Sequence, residues 1–120
     1  MSENMTTPSA SKTIFHRIVA GEIPAKKLFE DAEMIAIEDI HPAAPFHVLI
    51  IPKKPIKDMN EAADAHLLGR MMIQAARLAW DHGYAESGYR IVVNTNCDLR
   101  AIPYLHFHVL AGRTFAWPPG

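Results

Sequence analysis

Tyr104, His106 and His108 occupy alternate positions near the C-terminal end of the chain, with Leu105, Phe107 and Val109 between and after them. Alternation with period two is the pattern of a β-strand with two chemically different faces. Both imidazoles therefore project from one face, with Tyr104 one pleat earlier, while the apolar residues turn to the core. Two rings roughly 6–7 Å apart on a rigid strand titrate near neutral pH. They can serve as nucleophile and acid/base, as metal ligands, or as plain polar residues facing water. The pair alone leaves all three open.

The elements that must position this pair follow from the rest of the pattern. Thr13 to Gly21 carries apolar residues at helical spacing, with Thr13 as cap and Gly21 as stop, and reads as a short helix. Lys26–Glu30 and Met34–Asp39 read as two strands around the turn Asp31-Ala32-Glu33. A loop stiffened by Pro42 and Pro45 leads into a buried apolar strand, His47–Pro52, with His47 near its start. Asn60 is placed to cap an amphipathic helix over about 61–81, whose Leu and Met stripe is core packing rather than a cofactor face. Gly83 ends it. Tyr89–Asn94 alternates as a strand, Asn96-Cys97-Asp98 turns, and Trp117 to Gly120 forms an extended tail. Runs of strands with one main helix predict an α+β fold on an antiparallel sheet. Residues 1–12 are small and polar and read as a flexible tail, with residues 13–120 as one domain.

Composition narrows the function classes. The chain has 120 residues, 49% of them hydrophobic, which suits one folded core and excludes a disordered protein. A net charge of -1 argues against a general nucleic-acid binder. The single Cys97 precludes an internal disulfide and fits a reducing compartment. No apolar run is long enough to span a membrane, and the N-terminal residues lack an apolar signal core. The expected location is the cytoplasm, with no membrane partner.

Seven segments, taken in order, resemble the histidine triad (HIT) family and specifically its branch of nucleoside phosphoramidate hydrolases. They are Thr13-Ile14-Phe15, Gly21-Glu22-Ile23-Pro24-Ala25, Asp39-Ile40-x-Pro42-x-Ala44-Pro45-x-His47, Ile51-Pro52-Lys53-Lys54, Gly88-Tyr89-Arg90-x-Val92-Val93-Asn94, His106-x-His108-Val109-Leu110-x-Gly112-Arg113 and Trp117-Pro118-Pro119-Gly120. The resemblance implies a HIT-like α+β subunit: a five-stranded antiparallel sheet, one long and one short helix, and a sheet continued across a homodimer. It also implies binding of a purine nucleoside monophosphate, or hydrolysis of its phosphoramidate at the α-phosphate, with no cofactor required.

The same resemblance assigns roles. His106 falls on the nucleophile, which would form a nucleotidyl-imidazole intermediate that water then hydrolyses. His108 would touch the phosphate oxygens, and His47 would help hold the phosphate or the nucleophile. Asp39 would accept the ribose hydroxyls; Ile14, Phe15, Ile18, Ile37 and Ile40 would enclose the base; Asn94 would hydrogen-bond near the phosphate; Trp117 would reach across the dimer. Tyr104 stands where the family has its first histidine. A main-chain carbonyl of that strand orients the nucleophile in the family, and a carbonyl survives replacement of histidine by tyrosine.

Leu99-Arg100-Ala101 stands where the family usually has Gly-Gln-Ser, in a loop one residue shorter. Ala101 lacks a hydroxyl, while Arg100 either clamps an anionic group or is a solvated loop residue. Pro55 and Phe46 replace residues usually polar in close relatives, and Phe46 is expected to make the pocket more apolar. His41 is expected to face solvent, as are His16, His66 and His82. Two other readings remain: a weakened or inactive HIT protein that binds nucleotides or a protein partner, and a metal site built from His106, His108 and His47.

Overall fold

The computed structural model describes residues 12–98 and 100–120. In chain order the elements are α1 (Ile14–Val19), β1 (Lys27–Glu30), β2 (Met34–Glu38), β3 (Phe46–Pro52), α2 (Ala65–Asp81), β4 (Tyr89–Val92) and β5 (Phe107–Ala111). The strands form one five-stranded antiparallel sheet in the order β1-β2-β3-β5-β4. This is the expected α+β class. The expected tail falls almost wholly outside the described residues.

Both faces of the sheet are covered. α2 packs its Leu67, Met71, Ala75 and Leu78 stripe on Met34, Ala36, Val48, Ile50, Leu105, Phe107 and Val109. α1 and the segment after it cover the opposite face, where Phe15 and Ile18 meet Ile35, Ile37, Leu49, Ile51 and Tyr104. Every residue of β3 is buried because it is central and covered on both sides, so it reads as a continuous apolar run rather than an alternation. β5 adjoins it, with Val48 opposite Val109 and Leu49 opposite His108. That pairing fixes which of the β5 side chains face α1.

Local chemistry accounts for the helix ends. Thr13 Oγ1 accepts from the Phe15 and His16 amides, and the Thr13 amide donates to His16 Nδ1 at 2.9 Å, a reciprocal capping box. His16 is thus part of the cap rather than a free surface histidine. α2 starts later than its spacing indicated. Asn60 lies in a turn and donates its amide to Asp58 Oδ1; the cap is Asp64, whose Oδ1 accepts from the Leu67 amide at 3.0 Å. Asn and Asp serve as caps about equally well, so only the path of the chain decides between them.

Candidate active site

A cleft of about 490 Å³ opens on the α1 face of the sheet, between α1, the end of β2 and the start of β5. His106 sits just before β5 and His108 within it, and both line this cleft. Ile14, Phe15, Ile18, Ile37, Asp39, Ile40, Asn94, Arg100 and Ala101 line it too. Ile40 is 81% and Ile14 43% exposed, so the cleft carries an open apolar lip of the kind that accepts a flat ring. Arg100 lies at the mouth, mostly in solvent, with its Nε 3.8 Å from Asp98 Oδ1.

His47, Tyr104 and Trp117 do not line this cleft. His47 is buried behind His108 and does not line the cleft. Tyr104 is 2% exposed in the core beneath α1. Trp117 is 82% exposed and away from the cleft of its own chain. Phe46 departs from its expected place: it points to the α2 face, against His82 and Tyr84 at 5.0 and 5.1 Å, because one residue of register separates it from His47. It therefore leaves the cleft's polarity unchanged. His41, expected in solvent, is exposed but also forms part of the cleft rim.

The cleft also takes in Ile23, Pro24, Ala25 and Lys26, where the chain after Gly21 doubles back over β2, along with Leu49 and Ile102. The segment from Gly21 to Ala25 carries the resemblance, but nothing in its own spacing places it on a cleft wall. Leu49 shares parity with His47 on β3, a signal that could have found it.

The hydrogen bonds fix which ring nitrogens carry protons. The Ala43 amide donates to His47 Nδ1 at 2.9 Å, so the proton of neutral His47 sits on Nε2. His47 Nε2 lies 2.9 Å from His108 Nδ1 and donates to it. His108 must then carry its own proton on Nε2. His106 Nδ1 lies 2.7 Å from the Tyr104 carbonyl, which only accepts, so Nδ1 holds the proton and Nε2 keeps a bare lone pair. The neighbouring rings are thus set oppositely, one with a bare Nε2 and one with an Nε2–H, with ring centres 4.9 Å apart.

The loop that orients His47 is itself anchored. Arg113 Nε donates to the Ala43 carbonyl at 3.0 Å. Gly112 has φ +94°, and a Cβ there would stand 2.8 Å from Pro45 Cβ, so only glycine permits this close approach. Burial then holds the relay neutral. It lowers the pKa of His47 against the opposing pull of Asp39, and pushes that of His108 down to about 4, helped by His106 and His47.

Asp39, His47 and His108 place one ligand atom each within 4.8 Å of one another, the spacing of a metal site. Their protons argue against that use. His47 already accepts at Nδ1, so its Nε2 carries a hydrogen and has no lone pair to give; a metal there would break the Ala43 contact. His106 is not in the cluster.

The description "HIT domain" matches residues 20–115 of the chain. The chain belongs to the HIT family. Among the relatives of this HIT protein, an uncharacterised HIT-like protein of Synechocystis is 41% identical over 114 residues, spanning 92% of this chain and 99% of its own. A HIT family hydrolase from Legionella pneumophila superposes with TM-score 0.87 at 44% identity, covering 91% of this chain and 100% of that one. A histidine triad nucleotide-binding protein from Candida albicans superposes with TM-score 0.76 at 29% identity, over 89% and 83% of the two chains.

Proposed function

We propose that this HIT protein is a hydrolase of purine nucleoside 5′-phosphoramidates, with His106 as nucleophile. The observation that carries the reading is the opposed proton placement: a bare Nε2 on His106 beside an Nε2–H on His108, at the inner end of a cleft with an apolar lip. A purine between Ile14, Phe15, Ile18, Ile37 and Ile40 would leave Asp39 for the ribose hydroxyls and the α-phosphate between the two histidines. The Legionella hydrolase and the Candida nucleotide-binding protein support this class of activity and ligand.

In the proposed reaction His106 Nε2 attacks phosphorus, a P–N(imidazole) bond forms, and the P–N(amine) bond breaks. The amine departs with a proton drawn from a water at the open mouth, leaving hydroxide there. His108 Nε2–H, held in place by His47, donates to a phosphate oxygen as a preorganised donor. That hydroxide then attacks phosphorus and breaks the P–N(imidazole) bond, releasing the nucleoside monophosphate and returning His106 to its starting state with the proton on Nδ1. No metal or cofactor takes part in this scheme.

Dimerisation belongs to the same reading. Ile73 and Trp80 on α2 and Tyr89 on the edge strand β4 line one exposed apolar groove, with Met72 and Val93 also exposed. A second copy meeting edge to edge at β4 would cover them and extend the sheet. Trp117 would then project towards the partner, since Phe115 is held between Arg90 and Arg113, and Arg90 Nη2 donates to the Ala116 carbonyl.

One observation favours a second reading, a HIT protein that binds nucleotides without turning them over: Ala101 gives the cleft wall no hydroxyl. Hydrolysis of adenosine 5′-phosphoramidate bearing a fluorogenic amine, with AMP affinity measured in parallel, separates the two. Turnover that His106→Ala abolishes, with an adenylylated His106 trapped by intact mass, is expected. AMP binding without turnover favours the second reading, and turnover retained by His106→Ala overturns the nucleophile.

A further inference from the structure

We infer that the cavity beyond the end of β5, around Arg90 and Arg113, is a second binding site, one that takes a phosphate-type oxyanion. It stands apart from the histidine cleft and depends on neither the proposed reaction nor the proposed dimer.

The cavity encloses about 640 Å³ and shares no lining residue with the cleft. Arg90, on β4, and Arg113, just after β5, supply its only charges, because no acidic residue lines it. The chain as a whole has a net charge of -1, so this pairing is not a general basic surface. Of the six arginines, Arg17, Arg70 and Arg100 each stand beside a carboxylate; Arg77, Arg90 and Arg113 have none among the described residues. Two of those three uncompensated charges therefore meet in one concave space. Like charges lining a cavity focus a positive potential within it, and a bound anion relieves their repulsion.

Both guanidinium groups are held before any ligand arrives. They flank Phe115, with Cζ of Arg90 5.2 Å and Cζ of Arg113 4.3 Å from its ring centre. Arg113 donates Nε to the Ala43 carbonyl and Nη1 to the Thr114 carbonyl, both at 3.0 Å, which leaves its Nη2 for a ligand. Arg90 donates Nη2 to the Ala116 carbonyl and keeps Nε and Nη1 for a ligand. A long side chain pinned in this way has little rotamer freedom left to lose on binding. Guanidinium N–H groups match phosphate oxygens in charge and spacing. Ser87, Thr114 and Tyr84, also in the lining, carry hydroxyls, which donate to oxyanions.

Titration of inorganic phosphate into the full chain, followed by 1H–15N shifts, tests the site. Gly88 and Gly112 line the cavity while Asn94 and His106 line the cleft, so the two occupancies are read separately. Saturable shifts at Gly88, Gly112 and Arg90 Nε are expected, with a dissociation constant on the order of 1 mM, which two charge-assisted contacts support. Potassium chloride at matched ionic strength should leave those signals in place. Arg90→Gln should weaken the binding about 10-fold without altering any shift at Asn94 or His106, and Arg90→Lys should restore part of it. Shifts confined to Asn94 and His106 would mean that phosphate enters the cleft alone. Equal shifts with chloride would mean ionic screening, and unchanged affinity in Arg90→Gln would leave the two arginines as clamps of the tail. Each of these three results overturns the site. Should Arg90→Gln not fold, the phosphate and chloride titrations of the native chain still decide.

Discussion

Replacing His108 by glutamine should remove a pH-dependent loss of stability that the native chain shows below neutrality. In the folded protein His108 is driven from 6.5 to about 4, first by burial, then by the rings of His106 and His47, with Asp39 and Asp98 opposing. The unfolded chain therefore binds a proton through pH 6.5 that the folded chain refuses until about pH 4. Stability from this group is intact above 6.5, declines as pH falls through the window, and levels off below about 4. The full difference corresponds to at most about 3 kcal/mol. The ring is only half-buried, so solvent screening reduces this to roughly 1–2 kcal/mol. His47 is lowered as well and acts in the same direction, and Glu30, held down to about 2 by Lys53 and Lys27, enters only below its unfolded value of 4.5. Urea unfolding at pH 7.5, 6.5, 5.5 and 5 should show the native chain losing about 1 kcal/mol more than His108→Gln across that range. Equal losses in both proteins, or a His108 ring titrating near 6.5 by NMR, would refute the argument from burial.

Asp39→Asn should raise KM for a nucleoside phosphoramidate by about 10-fold while kcat stays within about twofold, because the proposed acceptor of the ribose hydroxyls would lose its charge. A 2′,3′-dideoxy substrate should be indifferent to the change, and sensitivity to it would contradict the assignment. The proposed dimer should show in the light-scattering mass of the native chain and fall to a monomer in Ile73→Asp with Trp80→Glu; a monomeric native chain would refute the dimer, and an unaltered dimer mass would place the interface elsewhere. Thr13→Ala breaks the capping box that seats α1 over the cleft and should cost about 1 kcal/mol of stability. Calorimetry should register this as a melting-temperature drop of about 4 °C.

Much of the architecture is legible in residue order because periodicity is a local property. Alternation along Tyr104–Val109 places the histidines on one face, and the Leu and Met stripe of α2 defines its core side. Thr13 and Gly21 bound α1 by conformational rules that need only neighbouring residues. The cleft-lining set is legible only through the family resemblance, since Ile14, Ile18 and Ile37 differ in no local way from core residues. Where spacing misled, two local solutions were nearly equal. Asn60 and Asp64 are both good caps, and Phe46 adjoins His47 in sequence while pointing through the sheet to the other side.

The sequence by itself determined the residue types, their faces and the family of this protein. Tertiary structure alone decided how His108 is protonated, whereas His106 and His47 take their protons' places from groups two and four residues away. Ala43 and His47 are four residues apart, but His47 and His108 are separated by 61. The 61-residue contact sets the proton of His108, and burial against neighbouring rings holds that ring neutral. A hydrogen bond and a desolvation penalty depend on distance in space, which no spacing along the chain encodes.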